Sequence, residues 1–119
     1  MSTPLPALVA DDTAVARVAV ARALKGRGAA CIEASSAATA KGVDPAAIAC
    51  ALLDLDLGDG TGVDVARVLL ARRPDLPIAF FSAGAPNDVL MEAQALARVF
   101  RKPDELGDAL AWVMQHVAG

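Results

Sequence analysis

The sequence predicts a single α/β domain, spanning residues 1–119, in which helices cover both faces of a parallel sheet. Three observations predict this class. Short apolar runs alternate with longer stretches of helical period, as in repeated strand–helix units. Glycine and proline separate these segments. The length of 119 residues, with 55% apolar and 21% charged residues, suits one globular core and is too short for two.

The first half of the chain predicts three strands and two helices. The strands are expected at 7–10, 30–33 and 48–53, and the helices at 13–25 and 36–42. The second of these helices is short and weak in pattern. The apolar positions of the first helix are Val15, Val18, Ala19, Ala21, Ala23 and Leu24. Glycines at 26 and 28 end that helix, and Asp44-Pro45 breaks the chain before the third strand.

The second half predicts two further strands and three helices. The strands are expected at 78–81 and 97–101, and the helices at 62–72, from Pro86-Asn87-Asp88 to about 95, and after Pro103-Asp104. The helix at 62–72 has an inward stripe of Val65, Val68 and Leu69. The stripe of the last helix is Leu106, Leu110, Val113 and Val117.

The charge pattern argues against a nucleic-acid or membrane partner. The net charge is −3, and the eleven lysines and arginines are scattered over the chain, so no clustered basic face is predicted. The N-terminus lacks the basic region and apolar core of a targeting signal, and no apolar stretch approaches the ~20 residues that span a bilayer. Cys31 and Cys50 lie in apolar runs, where buried thiols are expected. With no targeting signal, we expect the protein to reside in the reducing cytoplasm.

Polar side chains follow four of the predicted strands. Asp11 and Asp12 follow the first strand, Asp54 the third, Ser82 the fourth and Lys102 the fifth. In open α/β sheets the functional site lies beyond the carboxyl ends of the strands. We therefore expect these five side chains to meet at one edge of the sheet.

This combination of residue types favours phosphoryl chemistry. Three neighbouring carboxylates require a cation or a raised pKa, and Mg²⁺ prefers carboxylate oxygens together with phosphate. Mg²⁺, Lys102, Ser82 and backbone amides after Asp54 could each neutralise or bind an oxygen of a phosphoryl group. Asp54 is the best candidate nucleophile, because a strand end before a glycine-rich loop presents an exposed carboxylate beside unpaired amides. The only histidine, His116, lies in the last helix, away from any serine or cysteine.

These residues resemble the receiver domains of two-component response regulators over essentially the whole chain. The resemblance is carried by Asp11-Asp12, by the segment from Leu52 to Gly62 around Asp54, by Ser82-Ala83 and by Lys102-Pro103, in the order and approximate spacing of that family. It implies a flavodoxin-like doubly wound sheet of five parallel strands in the order 2-1-3-4-5, which is the strand order of chemotaxis receivers.

The resemblance also implies a signalling role rather than an enzymatic one. Asp54 would accept phosphate from a histidine kinase or a phosphotransfer protein, and the domain would at most assist its own phosphorylation and dephosphorylation. Asp11, Asp12 and Asp54, with the backbone carbonyl of Asp56, would bind Mg²⁺, Asp11 largely through water. Ser82 and Lys102 would bind the phosphoryl group. The switched surface, for a downstream protein or a second copy, would be the face formed by the fourth helix, fifth strand and fifth helix.

One position departs from the family. Receivers of this kind usually carry Tyr or Phe three residues before the lysine, where this chain has Val99. Phe100 should point to the opposite face of the strand, because successive side chains alternate. The phosphorylation chemistry does not need the aromatic ring, whereas the output mechanism would have to work without it.

Two other functions fit parts of the pattern. Asp54-Leu55-Asp56 is similar to the Asp-x-Asp signature of haloacid-dehalogenase-type phosphatases, but that signature normally ends the first strand, and those enzymes are longer. A receiver-shaped interaction module that is never phosphorylated is the other alternative.

Structural roles are also open for several residues. Asp11 and Asp12 could cap the first helix, Ser82 and Asp59 could serve only in turns, and Lys102 could be a solvated cation. Trp112 could lie at the core rim or on a contact surface. The sequence fits both a free-standing regulator and a receiver cut from a longer protein.

Overall fold

The computed structural model describes residues 4–118 and contains five strands and five α-helices in strict alternation. Residues 1–3 and 119, the ends of the predicted domain, lie outside the described residues. The strands are β1 (Ala7–Ala10), β2 (Cys31–Ala34), β3 (Cys50–Leu53), β4 (Ile78–Ser82) and β5 (Arg98–Arg101). The α-helices are α1 (Ala14–Gly26), α2 (Ala37–Lys41), α3 (Gly62–Arg72), α4 (Asn87–Leu96) and α5 (Leu106–Ala118), and a 3₁₀ turn spans Pro45–Ala47. Each predicted strand and helix is present, with bounds that shift by one or two residues.

The five strands form one parallel sheet in the order β2-β1-β3-β4-β5, which confirms the predicted topology. Ala10, the last residue of β1, is in register with Ala34 of β2 and Leu53 of β3. Ser82, the last residue of β4, is in register with Arg101 of β5. The carboxyl ends of β1, β3, β4 and β5 therefore lie along one edge of the sheet.

Two apolar layers cover the faces of the sheet, because side chains alternate along each strand. Leu8, Leu53 and Phe80 pack with α2, α3 and α4 on one face. The residues that alternate with these along the same strands pack with α1 and α5 on the other face. Val99 joins the first layer and Phe100 the second, which confirms that they point to opposite faces.

The predicted stripes of two helices were partly wrong. In α1 the buried residues are Val20 and Leu24, four residues apart, whereas Val15 is 82% exposed. Five residues separate Val15 from Val20, which turns it about 140° away around the helix. In α3 Val65 and Leu69 are buried, as predicted. Ala66 is buried beside them, whereas Val68 is exposed.

Hydrogen-bonded caps connect the loop after Asp54 to two helices, α2 and α3. Thr61 and Asp64 form a reciprocal capping box at the start of α3. Asp59, predicted as a turn residue, lies in the loop and also accepts hydrogen bonds from the amides of Ala37 and Ala38 at the start of α2, at 2.7 and 3.0 Å. These two amides lower the pKa of the exposed Asp59 carboxyl. The loop after β3 is thus tied to α2 as well as to α3.

Trp112 lies at the rim of the second layer. Its side chain is half-buried and packs against that layer, and its ring lies 4.6 Å from the ring of His116, centroid to centroid.

Among the described residues, 4–118, we find no helix with the length and apolar character to cross a membrane.

Candidate functional site

The predicted site residues meet at the carboxyl edge of the sheet. Asp11 and Asp12 directly follow β1, Asp54 follows β3, and Lys102 follows β5. Ser82 is the last residue of β4, which lies between β3 and β5. The parallel topology therefore brings together residues as far apart in the chain as Asp11 and Lys102.

Lys102 contacts two of the carboxylates. Its ammonium nitrogen, Nζ, lies 2.5 Å from Oδ2 of Asp11 and 3.2 Å from Oδ2 of Asp54. All three side chains are largely withdrawn from solvent, since 17% of the Lys102 side chain, 6% of that of Asp11 and 13% of that of Asp54 remain exposed. Lys102 is therefore not a solvated cation, and it bridges the residues that follow the first and third strands.

Asp11, Asp12 and Asp54 form a compact set of oxygen ligands. Each offers one carboxylate oxygen, and the three oxygens all lie within 4.8 Å of one another. Asp11 is buried, Asp54 is half-buried, and Asp12 is exposed. Hard divalent cations take such oxygens as ligands, and an exposed member leaves a path for a hydrated ion to enter. The residues present therefore fit Mg²⁺ or Ca²⁺.

Backbone and arginine contacts hold Asp11 in place. Its Oδ1 accepts a hydrogen bond from the amide of Thr13 at 2.9 Å. The guanidinium of Arg17 donates to the Asp11 carbonyl at 3.0 Å and to Glu33 at 3.2 Å. Neither Asp11 nor Asp12 is the N-cap residue of α1, which is Thr13, although Asp11 accepts from the Thr13 amide and so binds one amide at the start of that helix. Arg17 was missed from the sequence, since only the folded loop brings its side chain to the Asp11 carbonyl.

The environment shifts the pKa values of Asp54 and Lys102. Burial raises the pKa of the Asp54 carboxyl, the neighbouring Asp11 raises it further, and the Lys102 ammonium opposes both. Burial acts to lower the pKa of Lys102, but its hydrogen bond with Asp11 and the charges of Asp54 and Asp11 outweigh burial and raise it. Lys102 thus stays charged and favours the ionised form of Asp54.

The loop after Asp54 is anchored by buried leucines and closed by a glycine turn. Leu55 and Leu57 are almost fully buried. The Asp56 side chain accepts a hydrogen bond from the amide of Gly58, two residues later, at 3.0 Å. The amide of Asp56 donates to Oδ1 of Asp54 at 3.4 Å. Gly58 adopts a φ of 80°, a conformation that L side chains rarely adopt. This turn holds the backbone of the loop beside the acidic cluster.

Ser82 lies at the edge of the site with its hydroxyl turned into its own loop. The side chain is buried, and Oγ donates to the carbonyl of Gly84 at 3.0 Å and accepts from the Gly84 amide at 3.3 Å. Ser82 therefore serves in a turn in this structure. A contact with a group on Asp54 would require the hydroxyl to rotate away from Gly84.

Two of the cavities flank the layers of the fold. The larger, about 510 Å³, lies between α1 and β2 and is lined by none of the site carboxylates. The smaller, about 340 Å³, lies beside the site and is lined by Leu55, Ser82, Leu90 and Val99 among others. Val99 leaves this second space open beside Ser82.

The chain matches known proteins in sequence and in structure. The response regulator receiver domain family matches residues 7–106. No match was found among curated proteins. A response regulator receiver protein from Pseudomonas putida is 28% identical, with a TM-score of 0.83 over 97% of this chain and 99% of that protein.

Two more distant structures share the fold. The non-phosphorylated HemR receiver domain from Leptospira biflexa is 24% identical, with a TM-score of 0.83 over 97% of this chain and 95% of that domain. A response regulator protein from Burkholderia pseudomallei, solved with a phosphorylated aspartic acid, calcium ion and citrate, is 23% identical, with a TM-score of 0.74 over 96% of this chain and 69% of that chain. The family match covers most of the present chain, so this protein belongs to the response regulator receiver domain family, a family of signalling domains.

Proposed function

We propose that this domain is a phosphoacceptor whose Asp54 carboxylate takes a phosphoryl group from a phosphohistidine of a histidine kinase or phosphotransfer protein. The observation that carries the proposal is the position of the Lys102 ammonium, which lies within ion-pair distance of both Asp54 and Asp11. The parallel sheet brings the strand ends to one edge, and the side chains of Asp11, Asp54 and Lys102 meet there although 91 residues separate Asp11 from Lys102.

The transfer forms one bond and breaks one. An oxygen of the Asp54 carboxylate attacks phosphorus, the nitrogen–phosphorus bond of the donor breaks, and its electron pair returns to the imidazole nitrogen. Lys102 supports both stages, since its charge favours ionised Asp54 before the transfer and can bind a phosphoryl oxygen after it. We assign Ser82 to a second phosphoryl oxygen, which its hydroxyl would reach by leaving Gly84.

Mg²⁺ is the cation that we assign to the acidic cluster. Asp11, Asp12 and Asp54 would hold it, together with the backbone carbonyl of Asp56. When bound, the ion supplies positive charge to the phosphoryl oxygens. Asp11 has a second role, because its contact with Lys102 keeps the ammonium beside Asp54. Arg17 supports this arrangement by holding the Asp11 carbonyl.

Phosphorylation would switch a protein-binding face. A phosphoryl group adds on the order of −1.5 to −2 charge and three acceptor oxygens next to Ser82. Rotation of Ser82 would break both of its bonds with Gly84 and release the loop that precedes α4. We therefore assign the output, to a downstream protein or a second copy, to the face formed by α4, β5 and α5. We expect a cytoplasmic location, because a histidine kinase draws on ATP there.

A phosphorylation-independent interaction module is the second candidate. Two observations favour it: Val99 replaces the usual aromatic residue, and the Ser82 hydroxyl is bonded to its own loop. The phosphatase alternative has lost its support, because the family match is to receivers and the Asp54-Leu55-Asp56 signature follows β3 rather than β1.

Phosphotransfer from a panel of autophosphorylated histidine kinases tests the proposal. We expect ³²P to pass to the wild-type chain from at least one kinase in the presence of Mg²⁺, and to be lost in Asp54→Asn. Asp44→Asn is a matched control, because Asp44 caps the 3₁₀ turn at the start of the segment that leads into β3, outside the acidic cluster, and should leave transfer intact. Transfer to the Asp54→Asn variant would refute the assignment of the phosphoacceptor, and binding of partners without any phosphorylation would favour the interaction module.

A further inference from the structure

The cavity of about 340 Å³ beside Ser82 has the character of a ligand site. Much of its lining is apolar and includes Leu55, Leu90 of α4 and Val99 of β5. Ser82, Gln94, Arg101 and Glu105 add polar or charged groups to the lining. Small-molecule and side-chain pockets share this composition, which combines apolar walls with a few polar groups that fix orientation.

The volume selects the size of the group that would fill the cavity. An apolar cavity of about 150 Å³ is enough to take up benzene. The present cavity is roughly twice as large, so it admits one aromatic ring with a substituent and the adjoining chain atoms. The apolar surfaces of Leu55, Leu90 and Val99 suit the faces of such a ring.

Ser82 selects the chemistry of the substituent. A serine hydroxyl has one donor and two acceptor lone pairs. The donor of Ser82 is used by the Gly84 carbonyl and one lone pair by the Gly84 amide, so one lone pair remains for a donor on the ligand. A phenol supplies an apolar ring and a hydroxyl donor in one group.

The mouth of the cavity indicates a protein rather than a free metabolite as the source of the ring. Gln94, Arg101 and Glu105 line the cavity from α4, β5 and the segment before α5. Gln94 and Arg101 are exposed, and the Arg101 guanidinium is held only by the exposed ion pair with Glu105, at 3.5 Å, among the described residues. Exposed amide and guanidinium groups around an apolar pocket can pair with the backbone on either side of an inserted side chain.

We propose that this cavity binds the tyrosine side chain of a partner protein, as the anchor of a complex on the α4–β5–α5 face. This inference deepens the proposed function, because it names the group that the output face recognises. The ring would lie between Leu90 and Val99, and its hydroxyl would donate to Ser82. A partner bound in this way would contact the loop that phosphorylation is proposed to move.

Two probes and methyl NMR test the site in the unphosphorylated protein. We expect p-cresol, the tyrosine side-chain analogue, to shift the methyl signals of Leu55, Leu90 and Val99 saturably, with a Kd on the order of 1 mM. N-acetyl-L-tyrosinamide, which carries the flanking amides, should bind at least as tightly. Binding of p-cresol without binding of N-acetyl-L-tyrosinamide would overturn the protein source of the ring, and the absence of saturable shifts with both probes would overturn the site.

Matched variants locate the binding. Val99→Phe fills the cavity from β5 and should weaken p-cresol binding at least tenfold, whereas Val15→Phe adds the same ring at an exposed position of α1 and should leave it unchanged. Ala85→Leu enlarges another lining residue of the cavity and replaces Val99→Phe if that variant does not fold. Unchanged affinity in a folded, cavity-filled variant would refute the location. None of these titrations uses phosphorylation, so failure of Asp54 as a phosphoacceptor would not affect them.

Discussion

Gly62, the first residue of α3, is the position where one added methyl group should do most damage near the site. A Cβ built there lies 2.2 Å from the backbone oxygen of Asp54 and 3.3 Å from Cδ1 of Phe80. Real Cβ atoms essentially never approach another atom within 3.0 Å, so about 0.8 Å must be gained by movement. The blocking atom belongs to the backbone, which cannot rotate away as a flexible side chain can.

The expected loss of stability follows from two opposing contributions. Overpacking a tight site costs about 1–3 kcal/mol, and a backbone clash of this size belongs at the upper end of that range. Replacing glycine by alanine in a helix stabilises the folded state by at most ~1 kcal/mol. We therefore expect Gly62→Ala to lower the free energy of unfolding by about 2 kcal/mol, a large part of the ~5–15 kcal/mol that stabilises an ordinary domain.

Urea unfolding followed by the fluorescence of Trp112 measures this loss, because Trp112 is the only tryptophan and is half-buried. Gly107→Ala in α5 is the matched control, since a Cβ there meets no atom within 4 Å. The control should be unchanged or more stable by up to ~1 kcal/mol. A Gly62→Ala protein within about 0.5 kcal/mol of the wild type would refute the close approach of α3 to the Asp54 carbonyl.

Three further predictions concern the site, a cap and the core rim. Lys102→Met should tighten Mg²⁺ binding, measured by calorimetry, on the order of tenfold, because the competing ammonium is removed. The same variant should bind beryllofluoride more weakly. Weaker Mg²⁺ binding would contradict the prediction. Asp59→Ala should destabilise the domain above about pH 4 and have no effect on stability at lower pH. The pKa of Asp59 is lowered in the folded state, so its carboxyl stabilises the domain only while it is ionised. Asp104→Ala, at an exposed position, is the control, and a loss of stability that does not depend on pH would contradict the cap. Trp112→Ala should cost about 2 kcal/mol in urea unfolding without changing phosphorylation or oligomeric state, whereas a change in oligomeric state at unchanged stability would indicate a contact surface.

The strand–helix order and the meeting of the site residues could be predicted from the sequence because both depend on simple patterns. Apolar runs ending in Asp11, Asp54, Ser82 and Lys102 place those residues at strand ends, and a parallel sheet brings the carboxyl ends of its strands to one edge. Only the strand order and the specific roles required the resemblance to receivers. The alternation of Val99 and Phe100 followed from strand geometry alone.

Features that depend on helical phase or on contacts between distant segments could not be predicted in this way. In α1, alanine and valine occupy most positions, so the apolar pattern does not single out Val20 over Val15 as the buried residue. The contact of Arg17 with the Asp11 carbonyl and the cap of α2 by Asp59 join segments whose separation is set by the fold. The orientation of the Ser82 hydroxyl depends on which of several hydrogen bonds within reach is formed.

Intact-mass spectrometry with a small-molecule phosphodonor such as acetyl phosphate tests the central claim most directly. In the presence of Mg²⁺ the wild-type chain should gain the mass of one phosphoryl group, borohydride trapping should place it on Asp54, and chelation of Mg²⁺ should prevent the gain. Lys102→Met should acquire less phosphoryl group than the wild type in the same time. Phosphorylation at another residue, or none at all with any donor in a folded protein, would contradict the assignment of Asp54 and Lys102 as the reacting pair.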